Sequence, residues 1–361
     1  MPGLRNVFWN TEQRRLRMIW RLLATLVLGL IVSVPFTAVI PLVAGVLFGL
    51  LGLDGSSLLR ALGITDMGAL LSSPALLLLQ AVLMIGVTLV TLWLAARLID
   101  RRPFADYGLH LNRDWWIDLG FGLGLGALLM VLIFLFLWAM DWVEVVGFAQ
   151  SNLPGVSWVV GLIASLVGFV GVGIYEELIA RGYLLENLAE GFFFPPFTSA
   201  RAIVLAWVLS SALFGLAHAT NPNATVVSSF NLIVAGLLLG LGYVLTGELA
   251  IPIGLHITWN FVQGPIFGFP VSGITPAVAL VQTVSTGPDA WTGGAFGPEA
   301  GMLDLLSSLL GGLLIVWWVR RRRGVARLQE SLAEPPTPRG GYHTARGEGT
   351  TEYTENTERE M

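Results

Sequence analysis

About eight apolar runs divide this chain, each close to the roughly 20 residues that a helix needs to cross about 30 Å of hydrocarbon. They cover Leu22–Leu51, Leu76–Ile99, Leu119–Ala139, Ser157–Ile179, Ile203–Ala219, Leu232–Thr246, Ile251–Phe267 and Leu303–Val319. The fifth and sixth are short, so their ends are the least sharply set. Hydrophobic residues make up 55% of the chain and charged residues 12%, far from the balance of a soluble domain. The sequence therefore predicts an all-α, polytopic membrane protein of about eight transmembrane helices, placed in the cell (plasma) membrane.

Positive charge beside helix ends is retained on the cytoplasmic side, and with no lysine in the chain arginine alone sets the orientation. Arg5, Arg14, Arg15, Arg17 and Arg21 precede the first run, and Arg97, Arg101, Arg102 and Arg113 surround the second connection. Arg181 and Arg201 bound the fourth connection, Arg320 to Arg323 and Arg327 follow the last run, and the opposite loops offer only Arg60. Both termini are thus predicted to be cytoplasmic, in keeping with an even number of spans. The organisation is a basic N-terminus over residues 1–21, a transmembrane domain over 22–323 and a tail over 324–361, rich in Glu, Thr, Pro, Arg and Gly and expected to be disordered. The first run is too long for a signal peptide and reads as an uncleaved anchor, kinked at Pro35 and Pro41. Phe269 to Ala300, full of Gly, Pro, Ser and Thr, is expected to be an irregular loop. Without cysteine there is no disulfide, thiol nucleophile or cysteine zinc site. The net charge of −4 owes much to the tail, and nothing points to nucleic acid as a partner.

Charge at membrane depth is rare here, which singles out Glu176, Glu177 and Arg181 in the stretch SLVGFVGVGIYEELIARGYLL. Each ionised side chain at the centre of a spanning helix costs on the order of 2.5–3.5 kcal/mol, so three within one short stretch suggest a polar cavity. Glu177 and Arg181 share a helix face and can neutralise each other, whereas Glu176 is turned about 100° away. A snorkelling salt bridge at a helix end would account for a lone pair; the second glutamate instead suits a general base in a poorly solvated place. His218 closes the segment Phe214-Gly-Leu-Ala-His218, and His256 shares a face with Asn260. A single histidine in a span is ordinarily a packing residue, but two of them, an amide and the glutamates suggest one shared site. Gly236 and Gly240, spaced as GxxxG, together with Gly242 and Gly247, read as close helix packing, as do the glycines from Gly120 to Gly126. His110 and His343 carry no assignment.

Taken in order, Glu176-Glu177-x-x-x-Arg181, Phe214-x-x-x-His218 and His256-x-x-x-Asn260 resemble the CPBP family, also called the Abi or type II CAAX prenyl endopeptidase family. Every motif position is matched, over about residues 165–264, and the segment from Asp100 to Leu109 looks like a linker that many such proteins carry. The resemblance implies an intramembrane endopeptidase that cuts a peptide bond in or near the bilayer, in eukaryotic members beside a prenylated cysteine. It implies that Glu176 activates a water with help from His218, that His256 and Asn260 hydrogen-bond the oxyanion, and that Glu177 and Arg181 hold the helix and tune Glu176. The residues themselves agree, since a buried base, imidazoles and an amide donor are what acyl hydrolysis requires. The implied partners are membrane lipids and a membrane-anchored or lipid-modified peptide or protein substrate.

Two questions stay open at this level. Glu176, His218 and His256 are candidate ligands for Zn2+, yet the HExxH arrangement is absent, so either no cofactor or zinc fits the motifs. Other functions also have a claim: a bis-histidine haem protein, a proton-coupled transporter, or a non-proteolytic scaffold or immunity protein of the same fold. Depth adds a geometric condition. A fifth helix starting near Ile203 at the inner surface would put His218 roughly 22 Å deep, far from Glu176. For the two to meet, the fourth helix must run past Arg181 towards Leu188, and the fifth must start outside the bilayer, around Arg201, leaving a cavity open to the cytoplasmic leaflet.

Overall fold

In hydrocarbon every backbone N–H and C=O needs a partner within the protein, so apolar runs of this length fold as helices. The computed structural model describes residues 7–11, 13–39, 74–152 and 156–336. Within them run α1 (Met18–Val34), α2 (Pro74–Leu94), α3 (Arg113–Ala139), α4 (Trp158–Phe192), α5 (Ser199–Ala217), α6 (Val226–Thr246), α7 (Ala250–Phe261) and α8 (Met302–Arg323). Seven helices among the described residues are long and apolar enough to cross a membrane. The shorter α7 continues as a π-helix over Val262–Ile266 and is buried over almost its whole length, so it serves as the bundle's central post. The expected all-α polytopic architecture is what the structure shows. The predicted continuation of the first span to Leu51, with Pro41, and the residues Arg5, Arg60 and His343 lie outside the described residues.

Local chemistry sets the helix starts. Asn112, Ser157 and Thr198 each accept a hydrogen bond from the backbone three residues on, and Thr225 with Ser228 forms a reciprocal capping box. Gly247, at φ 70°, closes α6 in the left-handed region that glycine adopts without strain. The expected glycine packing is visible at several contacts. A side chain at Gly122 or Gly126 of α3 would run into the backbone of Gly254 and Leu255 on α7, and one at Gly236 or Gly240 of α6 into Ser211 and Trp207 of α5. Gly120 and Gly124, on the other face of α3, meet no other side chain or backbone among the described residues.

Two expectations need adjustment. The segment from Phe269 to Ala300 is not wholly irregular: Val278–Ser285 forms an antiparallel pair with Val143–Ser151, in a register that joins Val143 to Ser285 and Ser151 to Val278. The alternating Val, Thr and Leu residues of VALVQTVS favour a strand, a signal masked by the Gly and Pro around it. The tail's first residues also pack down. Leu332 and Ala333 are buried, and the Gln329 amide N–H donates to Val244 O at 2.9 Å.

The arginine-rich end holds a buried ionic cluster. Arg15 and Arg21 donate to Glu190 Oε2 at 2.7 and 2.8 Å, Arg102 bridges Glu186 and Glu190, and Arg21 lies 3.6 Å from Asp100. Three guanidinium groups meet three carboxylates, which neutralises charges that would be costly alone. Burial opposes ionisation of Arg102, yet the Glu190 and Glu186 carboxylates hold it well above its ordinary pKa. Arg15 and Arg21 therefore do more than mark orientation: they tie the N-terminal segment to the last turns of α4.

Candidate functional site

The fourth helix does run on, as the meeting of Glu176 and His218 required. It is α-helical to Glu177, π-helical over Leu178–Leu185 and α-helical again over Glu186–Phe192, while α5 begins at Ser199. A widened turn directly after paired glutamates is a common mark of a functional position, because it re-aims side chains without ending the helix. Glu176 and Glu177 sit at the junction.

Glu177 is the organising group. Its Oε1 accepts from Arg181 Nη1 at 2.7 Å and from His256 Nδ1 at 2.8 Å, with all three side chains buried. Arg181 in turn donates to Gly236 O at 3.0 Å and lies 4.4 Å from the centre of the Phe214 ring. The carbonyl it reaches belongs to the GxxxG stripe, so close packing of α6 also brings an acceptor to the guanidinium.

Glu176 faces the other way, into a cavity of about 590 Å³. Tyr175 donates to its Oε1 at 3.1 Å. His218 Nε2 and His256 Nε2 each lie 3.9 Å from its Oε2. The partners of the imidazoles fix their tautomers. His218 Nδ1 faces Phe214 O at 2.8 Å and must carry the proton; His256 Nδ1 donates to Glu177 in the same way. Each ring's Nε2 is thereby turned towards the Glu176 carboxylate across the cavity. Asn260 lines the same cavity and makes no side-chain hydrogen bond among the described residues.

All six sequence-predicted residues, Glu176, Glu177, Arg181, His218, His256 and Asn260, thus gather in one place, drawn from α4, the end of α5 and α7. Zinc was the open question for three of them. Carboxylate and imidazole are suitable donors, but no group of three His, Asp or Glu side chains among the described residues is placed to hold a metal ion. As placed, these groups do not fit a metal centre. His110, unassigned from sequence, lies elsewhere, 2.8 Å from Glu248.

Sequence reasoning missed several cavity residues. Tyr175 reads as an ordinary apolar position in the pattern, and only the fold shows its hydroxyl donating to Glu176; Phe214 is a motif position, but its contact with the Arg181 guanidinium is visible only in the fold. Glu299, Asp304 and Ser308 also line the cavity. Glu299 accepts from the Ser272 amide and hydroxyl, and burial pushes its carboxyl above the ordinary range in spite of those bonds. An acidic residue at the head of the last apolar run was the available signal for Asp304.

Comparison with known families supports the motif reading. Residues 157–262 match the family model described as Type II CAAX prenyl endopeptidase Rce1-like. That stretch holds every residue of the Glu-Glu-Arg, Phe-His and His-Asn motifs. No curated protein and no solved structure matched the chain.

Proposed function

We propose, for a membrane chain whose residues 157–262 match the Type II CAAX prenyl endopeptidase Rce1-like family model, that Glu176 activates a water to hydrolyse a peptide bond of a membrane-associated substrate. The observation that carries this reading is the convergence of His218 Nε2 and His256 Nε2 on Glu176 Oε2 at 3.9 Å each. A water whose hydrogens point at Glu176 Oε2 and His218 Nε2 has its lone pairs turned outwards, towards a carbonyl in the cavity. Glu176 takes the proton as the water attacks, and the amide nitrogen leaves after receiving a proton from the same carboxyl.

Asn260 is the oxyanion donor in this reading. His256, its ring held through Nδ1 by Glu177, presents Nε2 beside it. Glu177 and Arg181 are positioning residues: they fix the His256 ring rather than touch the substrate. Ile179 on α4 and Leu213 on α5 both line the cavity and are about half exposed, so substrate enters between these two helices from the lipid. The arginine-rich end faces the cytoplasm, and the substrate is a membrane-anchored or lipid-modified peptide.

The test is cleavage of a set of prenylated and other membrane-anchored peptides by the purified chain in lipid, with and without Glu176→Gln and with and without a strong chelator. Activity that disappears in the variant and survives chelation supports the reading. Cleavage abolished by chelation and restored by zinc would overturn the metal-free form, and absence of cleavage of every peptide would return the chain to the scaffold or immunity alternative.

A further inference from the structure

The cavity carries more carboxyl groups than the proposed chemistry uses. Glu299 and Asp304 join Glu176 on its walls, and among the described residues no arginine lines it; the chain contains no lysine. Asp304 is fully buried, and neither of its carboxylate oxygens has a hydrogen-bond partner among the described residues. One helical turn on, Ser308 is 6% exposed and its hydroxyl is equally unpartnered there. Glu299, 4% exposed, is near enough to Asp304 for their charges to interact, and it also lies within electrostatic reach of His218.

Buried acceptors without donors are costly, and native structures rarely leave several in one place. The first turn of α8 favours an anion at Asp304 through the helix dipole, and the Ser272 amide and hydroxyl favour one at Glu299. What is lacking is the cation. An inorganic ion would need a closed set of ligands, and no such grouping of acidic and histidine side chains exists among the described residues. A guanidinium or ammonium group on a flexible stem fits better, because its several N–H donors can meet Asp304, Ser308 and Glu299 from the cavity side while its apolar stem lies along Leu238, Leu239 and Leu232.

We infer that Glu299, Asp304 and Ser308 form a specificity subsite for a basic side chain, arginine or lysine, of the peptide substrate. This rests on the protease reading and names the substrate class for it. A basic residue seated here holds the chain beside Glu176, so the bond cut lies within a few residues of it. Most of the remaining cavity wall is apolar and accepts the neighbouring residues.

Binding separates this inference from the protease reading. The probe is an acyl-anchored peptide of Gly, Ala and Leu with one central arginine, compared with the same peptide bearing citrulline, which keeps the shape and removes the charge. Affinity for the full chain carrying Glu176→Gln is measured in neutral-lipid nanodiscs, where the membrane itself does not attract the arginine. The arginine peptide is expected to bind about tenfold or more tightly. The ratio should fall to about one with Asp304→Asn, and likewise with Glu299→Gln, each checked for folding by thermal unfolding and gel filtration. Equal affinity for the two peptides, or a preference that persists in both variants, overturns the subsite, as does displacement of the arginine preference onto a divalent cation alone. Wild-type cleavage without charge preference would sink the subsite and leave the protease standing; charge-selective binding without any cleavage would do the reverse.

Discussion

Arg181→Met tests the central ion pair most directly. The substitution removes the donors to Glu177 Oε1 and Gly236 O and the cation over Phe214, leaving a fully buried carboxylate whose remaining partner is His256. Breaking such a pair from one side costs about 3–5 kcal/mol. Glu177→Gln should cost a similar amount by stranding the guanidinium. The double variant behaves differently, because no charge is left unmatched and the amide oxygen introduced by Glu177→Gln can still accept from His256 Nδ1. What remains is chiefly the lost bond to Gly236 O, about 1 kcal/mol. The singles therefore sum to roughly 6–10 kcal/mol and the double to about 1–2, a large coupling by the standards of double-mutant cycles. Partners found by the unfolded chain in the bilayer scale these values down without changing the order. Denaturing-detergent titration in mixed micelles measures the unfolding free energies, and peptide cleavage by the double variant reports on His256: its ring is held less firmly without the charge-assisted bond, so activity should drop about tenfold or more. A double variant as unstable as the sum of the singles would refute the pairing argument.

The other expectations are simpler to state. Glu176→Gln should slow cleavage by about 10²–10⁴ while the unfolding curve stays close to wild type, since that side chain is partly exposed and bonded only to Tyr175 among the described residues. Asn260→Ala should lower kcat by about 10²–10³ with KM little changed, the pattern of a donor used only in the transition state; a change confined to KM would assign Asn260 to substrate binding. Gly126→Ala places a methyl group against the Leu255 carbonyl, the Thr258 hydroxyl and the Trp259 backbone and should destabilise the chain by about 1–3 kcal/mol in the same titration, whereas Gly124→Ala, facing open space, should be neutral.

Much of the site was legible because its residues violate the chain's own rule. In an apolar sequence, Glu176, Glu177, Arg181, His218, His256 and Asn260 stand out one by one, and helical spacing pairs Glu177 with Arg181 and His256 with Asn260. The requirement that His218 reach Glu176 even predicted the long fourth helix and the early start of α5. What spacing leaves hidden is contact between helices. Nothing in the string says that Glu177 holds His256, since the two are linked only when α7 passes beside α4. Gly236 was legible as a packing residue but not as the carbonyl that Arg181 needs. The strand at Val278–Ser285 was hidden by the turn residues around it, and Asp304 by its place at the edge of an apolar run, where an acid ordinarily reads as a helix end in water. The charges at the N-terminus were read as orientation signals; that Arg15 and Arg21 are also buried partners of Glu190 follows from the tertiary fold alone.

A single helix links these observations. The buried polar residues Glu177, Arg181, Tyr183, Glu186, Asn187 and Glu190 follow one another along α4 through its π-helical stretch. Glu177 and Arg181 at its start border the cavity site, and Glu186 and Glu190 near its end are clamped by Arg15, Arg21 and Arg102. Between them Tyr183 donates to Thr25 Oγ1 at 2.7 Å, tying the middle of the helix to α1. Preorganised catalysis asks for acceptors and donors held within fractions of an ångström before substrate arrives, and a loop would not supply that. Here Glu176, the proposed base, is carried on a helix fixed at its far end by three arginines and beside it by α7, which packs against the glycines of α3. The ionic cluster at the arginine-rich end is thus far from the reacting atoms, yet it bears on the 3.9 Å spacing at Glu176 by denying α4 the freedom to rotate or slide.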